Sequence, residues 1–171
     1  MSKTKTKLIL ILGTVAFIVM VGVIAVLVLR PKVPDISLQI QKRVGFTIFH
    51  PISGQSDWQI DKTTVNYDSN AGVLTFDMYT KDHSNKIVMS QQATPSPFTD
   101  IENYSAIFLS KLNAYQEFQV SLGTVDLIKP TELKGEQAAT ANIGGTLMFL
   151  HPDHSLDVKA WTSFFNGLEK E

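Results

Sequence analysis

The chain has no cysteine in its 171 residues, which excludes disulfide staples, thiol nucleophiles, thiolate zinc sites and a lipidated N-terminal cysteine together. Phosphate-cradling glycine loops are missing as well. Neither GxGxxG nor GxxxxGK[ST] occurs, so nothing announces a nucleotide site. No GxSxG elbow is present to raise a serine nucleophile. Charge is scarce, at 18% of residues against 44% hydrophobic, and its distribution is uneven: none falls between Lys7 and Arg30.

That gap is the first positive signal. Leu8 to Leu29 is an uncharged apolar run of 22 residues, about 33 Å of helix at 1.5 Å per residue, slightly more than the hydrocarbon thickness of a bilayer. A cleavable signal peptide has a shorter apolar region followed by small residues. Here Ala25-Val-Leu-Val-Leu29 runs directly into Arg30-Pro31-Lys32, which predicts an uncleaved signal anchor. A pilin-like start is excluded, because no acid precedes Asp35.

Flanking charge does not decide the orientation, since Lys3, Lys5 and Lys7 face Arg30 and Lys32 across the run. Long segments after a first span are translocated largely irrespective of charge, however. Beyond Lys32 the chain carries ten basic and sixteen acidic residues, a net −6 with histidine neutral. The expectation is a cytoplasmic tail over 1–7, a transmembrane anchor over 8–29, a proline-stiffened linker over 30–35 and one extracytoplasmic domain over 36–171. The membrane is then a partner through Leu8 to Leu29. An acidic domain repels a phosphate backbone, so nucleic acid is not an expected partner.

Within the domain, Phe46-Thr-Ile-Phe49 reads as a short strand that stops at His50-Pro51, and a loop leads from there to Trp58. Thr63 to Tyr67, Val73 to Tyr79 and Lys86 to Ser90 are rich in β-branched and aromatic residues, and the segments between them have turn composition. An antiparallel meander is predicted. Leu74, Phe76 and Met78 alternate with Val73, Thr75, Asp77 and Tyr79, which gives the sheet a dry and a wet face. Further strands are expected over Phe118 to Lys129, Glu136 to Asn142 and Thr146 to Leu150, with turns at Gly135 and Gly144-Gly145.

Two helices are available as cover. The first is expected from Thr99 to Asn113, capped by Thr99 or Asp100, with Ile101, Tyr104, Ile107, Phe108 and Leu112 at helical spacing. The second begins near Ser155 and carries Val158, Trp161, Phe164, Phe165 and Leu168 as an apolar stripe. The fold class is therefore α+β, an N-terminal transmembrane helix followed by one domain with an antiparallel sheet covered by two helices.

The order of anchor, FTIFHP strand, Trp58 loop, the run TTVNYDSNAGVLTFDMYTKDHSNKIVMSQQATPSPF, and ANIGGTLMFLHP before a Trp-containing last helix resembles an uncharacterised bacterial family of single-pass surface proteins. That family is similar to the extracytoplasmic domain of some sigma-factor regulators. The resemblance implies a curved antiparallel sheet under helices, and it implies no catalytic residues. Those regulators also carry a folded cytoplasmic module, whereas only Met1 to Lys7 precede the span here, so sequestering a sigma factor is not expected.

Chemistry is thinly signalled. His151-Pro-Asp-His154 offers two imidazoles and the carboxylate of Asp153 as candidate metal ligands. The spacing departs from HExxH, and a proline follows the first histidine, so a polar turn is the better reading. His50 and His83 read as exposed, and Asp57 and Asp61 beside Trp58 as solvated loop charges. No catalytic residue and no cofactor is expected. The functional expectation is a non-enzymatic recognition or envelope-structural domain with an envelope protein as partner. The alternative is an anchored carrier or enzyme with an apolar pocket for a lipid or glycan fragment.

Overall fold

The computed structural model describes residues 36–133 and 136–170. The expected tail, anchor Leu8 to Leu29 and linker lie outside these residues, as does the Gly135 turn. Among the described residues no helix is long and apolar enough to cross a membrane.

In chain order the elements are α1 (Leu38–Gln41), β1 (Phe49–Pro51), β2 (Trp58–Ile60), β3 (Asn66–Asp68), β4 (Val73–Thr80), β5 (Lys86–Ala93), α2 (Ile101–Asn103), β6 (Ala114–Val120), β7 (Gly123–Ile128), β8 (Ala138–Ile143), β9 (Thr146–Pro152), α3 (Val158–Asn166) and β10 (Leu168–Lys170). The domain is mainly antiparallel sheet with few helices. Eight strands form one sheet in the order β2-β4-β5-β9-β8-β7-β6, with β3 also pairing β4. Two meanders are joined where β5 lies against β9, and every pairing is antiparallel.

The alternation in β4 sorts as its sequence predicts. Leu74, Phe76 and Met78 are buried, and their partners Gln91, Met89 and Ile87 share that face. Leu150, Met148, Ala139, Ala141, Val125 and Leu127 continue it across the sheet. After β9 the chain crosses this dry face as α3, placing Trp161, Phe164 and Phe165 on it. Phe164 and Phe165 meet edge to face with centroids 5.4 Å apart, and Trp58 caps Phe164 at 5.3 Å. The helix is capped by Asp157, whose carboxylate accepts the Ala160 N–H at 2.7 Å, two residues later than the expected Ser155. Leu168, expected on the helix, falls in β10, which pairs with β1 in a separate two-stranded ribbon.

The expected strand over Phe118 to Lys129 is two strands, β6 and β7, joined by the tight turn at Ser121-Leu122. Strand composition runs through that turn with no proline or asparagine to mark it, and the hairpin is legible only once Val120 is seen opposite Gly123. Gly144 and Gly145 form the expected two-residue turn between β8 and β9, with φ of 59° and 79°. Two consecutive positive φ values are the signature of a type I′ hairpin, which twists with its strands.

The first helix is the main departure. A regular helix from Thr99 to Asn113 is replaced by a 3₁₀ turn (Ser96–Phe98), the three residues of α2 and a widened π turn (Tyr104–Leu109). Asp100 caps it, accepting the N–H groups of Glu102 at 2.9 Å and Asn103 at 3.0 Å. The π register shows where Ser110 N–H reaches Ser105 O at 3.2 Å. Asn113, at φ 53°, ends the segment. It does not lie on the dry face. β5 is central and β6 is an edge, so the connection between them must cross one face, and it crosses the wet one.

Candidate functional site

That crossover makes a cleft. One row of directly opposed residues runs over the wet face: Glu117 on β6, Asp126 on β7, Thr140 on β8 and Phe149 on β9. The 94–109 segment bridges this row. Asn142 ties it to the sheet, donating from Nδ2 to the Phe98 carbonyl at 2.8 Å and accepting from the Thr94 hydroxyl. Phe98, Tyr104 and Phe108 cluster in the bridge, with Tyr104 and Phe108 stacked at 5.4 Å and Phe98 at 5.0 Å from Phe108. Between bridge and sheet is a cavity of about 550 Å³ lined by Phe98, Tyr104, Leu109, Glu117, Thr124 and Asp126 among others. That volume is in the range of small-molecule sites.

Its polar groups are arranged in a definite order. Thr140 Oγ1 donates to the Met148 carbonyl at 2.9 Å, so its proton is committed, and at 3.4 Å from it Tyr104 Oη must be the donor of their contact. Burial pushes the Tyr104 phenol up to about 12, so the ring is neutral across the physiological range. Asp126 is only 7% exposed, lines the cavity and has no side-chain hydrogen bond or ion pair among the described residues. Burial first, and the neighbouring Glu117 second, raise its carboxyl from 3.8 to about 6. A like charge directly opposite on a sheet is unfavourable in itself. The cleft is thus an acceptor-rich floor under an aromatic roof.

The residues singled out in the sequence lie elsewhere. His151 is on β9 with Nε2 at 3.1 Å from Glu136, while His154 pairs with Asp153 at 2.7 Å beyond the strand end. Their two pairs do not converge, and among the described residues no three histidine, aspartate or glutamate side chains are placed to share a metal ion. His50 is a correction: expected in solvent, it is 9% exposed, with Nδ1 3.1 Å from the Pro51 carbonyl and 3.9 Å from Glu169. The β1–β10 ribbon encloses it. His83 is exposed in its turn, 5.6 Å from the Tyr79 ring. Asp57 faces Lys81 at 3.7 Å, and Asp61 caps the following turn through Thr63 at 2.9 Å.

Asp126 and Glu117 escaped sequence reading. A single acid between Val125 and Leu127 was a usable signal, because alternation puts it on the face opposite the core. Its pairing with Glu117 depends on the β6–β7 register, which no local pattern encodes. No family model, curated protein or solved structure matches the chain.

Proposed function

We propose that the chain is a single-pass membrane protein, a transmembrane helix over Leu8 to Leu29 with its N-terminus in the cytoplasm, carrying outside the membrane a domain whose sheet curves under its cover. Its role is non-enzymatic recognition in the cell envelope, in keeping with the resemblance to bacterial surface proteins. One observation carries the reading. The dry face is filled by Trp161, Phe164 and Phe165, so recognition falls to the outer surface, where the cleft over Asp126 is a concave feature with buried polar chemistry. The volume of that cleft also favours a second reading, an anchored carrier or enzyme for a lipid or glycan fragment.

Photo-crosslinking in cells separates the two. A crosslinking residue at Asp57 or Asp82 samples the outer surface, and one at Ser105 samples the cleft rim. Discrete protein adducts support recognition. Adducts confined to small molecules at Ser105 support the carrier reading and refute recognition of a protein. Protease added to intact spheroplasts should degrade the domain, and protection until lysis would reverse the orientation.

A further inference from the structure

We propose that the cleft between the 94–109 segment and β6 to β8 is a site for an organic ammonium ion bearing an apolar body, held by the carboxylates of Asp126 and Glu117 against the rings of Phe98 and Tyr104. This deepens the second, carrier reading and rests on it for its biological sense, though not for its chemistry.

Four observations converge. Asp126 is more than nine-tenths buried, aims into the cavity and has no hydrogen-bonding or ionic partner for its carboxylate among the described residues. A buried carboxylate is held at a cost unless something pairs with it. Glu117 stands directly opposite in the ladder, which doubles the negative charge on one face and asks for a shared cation. No lysine, arginine or histidine lines the cavity, so the chain does not supply that cation itself. Phe98 and Tyr104 close the other side, and ring faces attract an ammonium ion that also donates to carboxylates.

A bare divalent cation fits less well. Calcium takes six to eight oxygens and prefers several carboxylates, whereas the cavity offers two carboxylates, scattered neutral hydroxyls and an amide, and aromatic rings that give a bare ion nothing to bind. The ligand is thus an amine with hydrocarbon or aromatic bulk. The titratable groups around Asp126 are Glu117 on β6 and Tyr104 on the bridge, while β8 presents the uncharged Thr140 and Asn142. Acidification protonates Asp126, so it weakens the site.

The test is calorimetric titration of the full chain in a non-ionic detergent with phenethylammonium as probe, and 2-phenylethanol and calcium chloride as comparisons. Saturable 1:1 binding of the amine is expected, about tenfold tighter than the alcohol, the size of one charge-assisted contact. Asp126→Asn should weaken it about tenfold, Glu117→Gln should weaken it less, and lowering the pH from 7.5 to 5 should act like the first variant. Leu109→Trp, which fills the cavity and leaves both carboxylates, should abolish binding while the melting temperature holds. Equal binding of amine and alcohol, tighter binding of calcium, or no saturation by the amine overturns the proposal. Amine binding without any small-molecule adduct at Ser105 in cells sinks the carrier reading alone, whereas such adducts without amine binding sink this inference alone.

Discussion

The side chain of Gln91 replaces a missing strand for Phe49. Its Oε1 accepts the Phe49 N–H at 2.8 Å and its Nε2 donates to the Phe49 carbonyl at 2.7 Å, forty-two residues away in sequence and fully buried. β1 leaves the main sheet to pair with β10, and its backbone would otherwise reach the dry face with both polar groups unpaired. Gln91→Leu keeps the volume and deletes the clamp. Two orphaned buried groups at about 1–3 kcal/mol each predict a loss of about 2–6 kcal/mol, measured by urea unfolding of the full chain. A change under about 0.5 kcal/mol would mean that β1 pairs differently in solution.

Trp161 stands at the centre of the cover. It is wholly buried, packs with Phe164 at 6.0 Å, and donates from Nε1 to Gln137 Oε1 at 3.1 Å. Trp161→Ala should destabilise by about 3–5 kcal/mol, from lost burial and the cavity left behind. Gln137→Ala offers a check on the share owed to polarity, because this amide also holds the Leu156 backbone from both sides, accepting its N–H at 2.7 Å and donating to its carbonyl at 3.0 Å. If Trp161→Ala is near neutral in chemical denaturation, the stripe is a surface rather than a core.

The hairpin between β8 and β9 allows a stabilising prediction. Gly144 has φ 59°, and a Cβ there would meet Phe49 Cζ at 3.9 Å, an ordinary contact. Asparagine tolerates this backbone and is favoured at the first position of a type I′ turn. Gly144→Asn should therefore raise stability by about 0.4–1 kcal/mol, by restricting the unfolded chain. Thermal unfolding decides it, and a lowered melting temperature would refute the turn assignment.

Legibility followed the range of the forces involved. The alternation of β4 and the stripe of α3 are local, and both place Leu74, Phe76, Trp161 and Phe165 correctly in the core. The 94–109 segment also has helical spacing, but Pro95 and Pro97 open it as a 3₁₀ turn, and its regular winding stops at Leu109, short of Asn113. What remained is short and widened, and the topology sends it over the wet face, where its periodicity no longer reports on the core. The cleft needed two facts of long range, the path of that crossover and the register that sets Glu117 against Asp126. Histidines drew attention in the sequence by their chemistry alone, and the fold scatters them.

Asp126 makes the stability of the domain depend on pH with an unusual sign. Most native carboxylates have lowered pKa values and lose stability in acid. Here burial and Glu117 raise the carboxyl from 3.8 to about 6. The folded chain therefore binds this proton more tightly than the unfolded one. Its contribution is fully present below about pH 4 and is lost as the pH rises through about 6, after which a charged Asp126 weighs against the fold. The full shift would correspond to about 3 kcal/mol in a dry site, and solvent in the open cleft screens part of it, leaving about 1–2 kcal/mol. Asp126→Asn removes the titration and keeps the shape. The variant should match the parent at pH 4 and exceed it by about 1–2 kcal/mol at pH 7.5, measured by urea unfolding of the full chain at both pH values. An equal gap at the two pH values would trace the effect to something other than this proton, and a variant weaker than the parent at pH 7.5 would mean that the carboxylate is already paired.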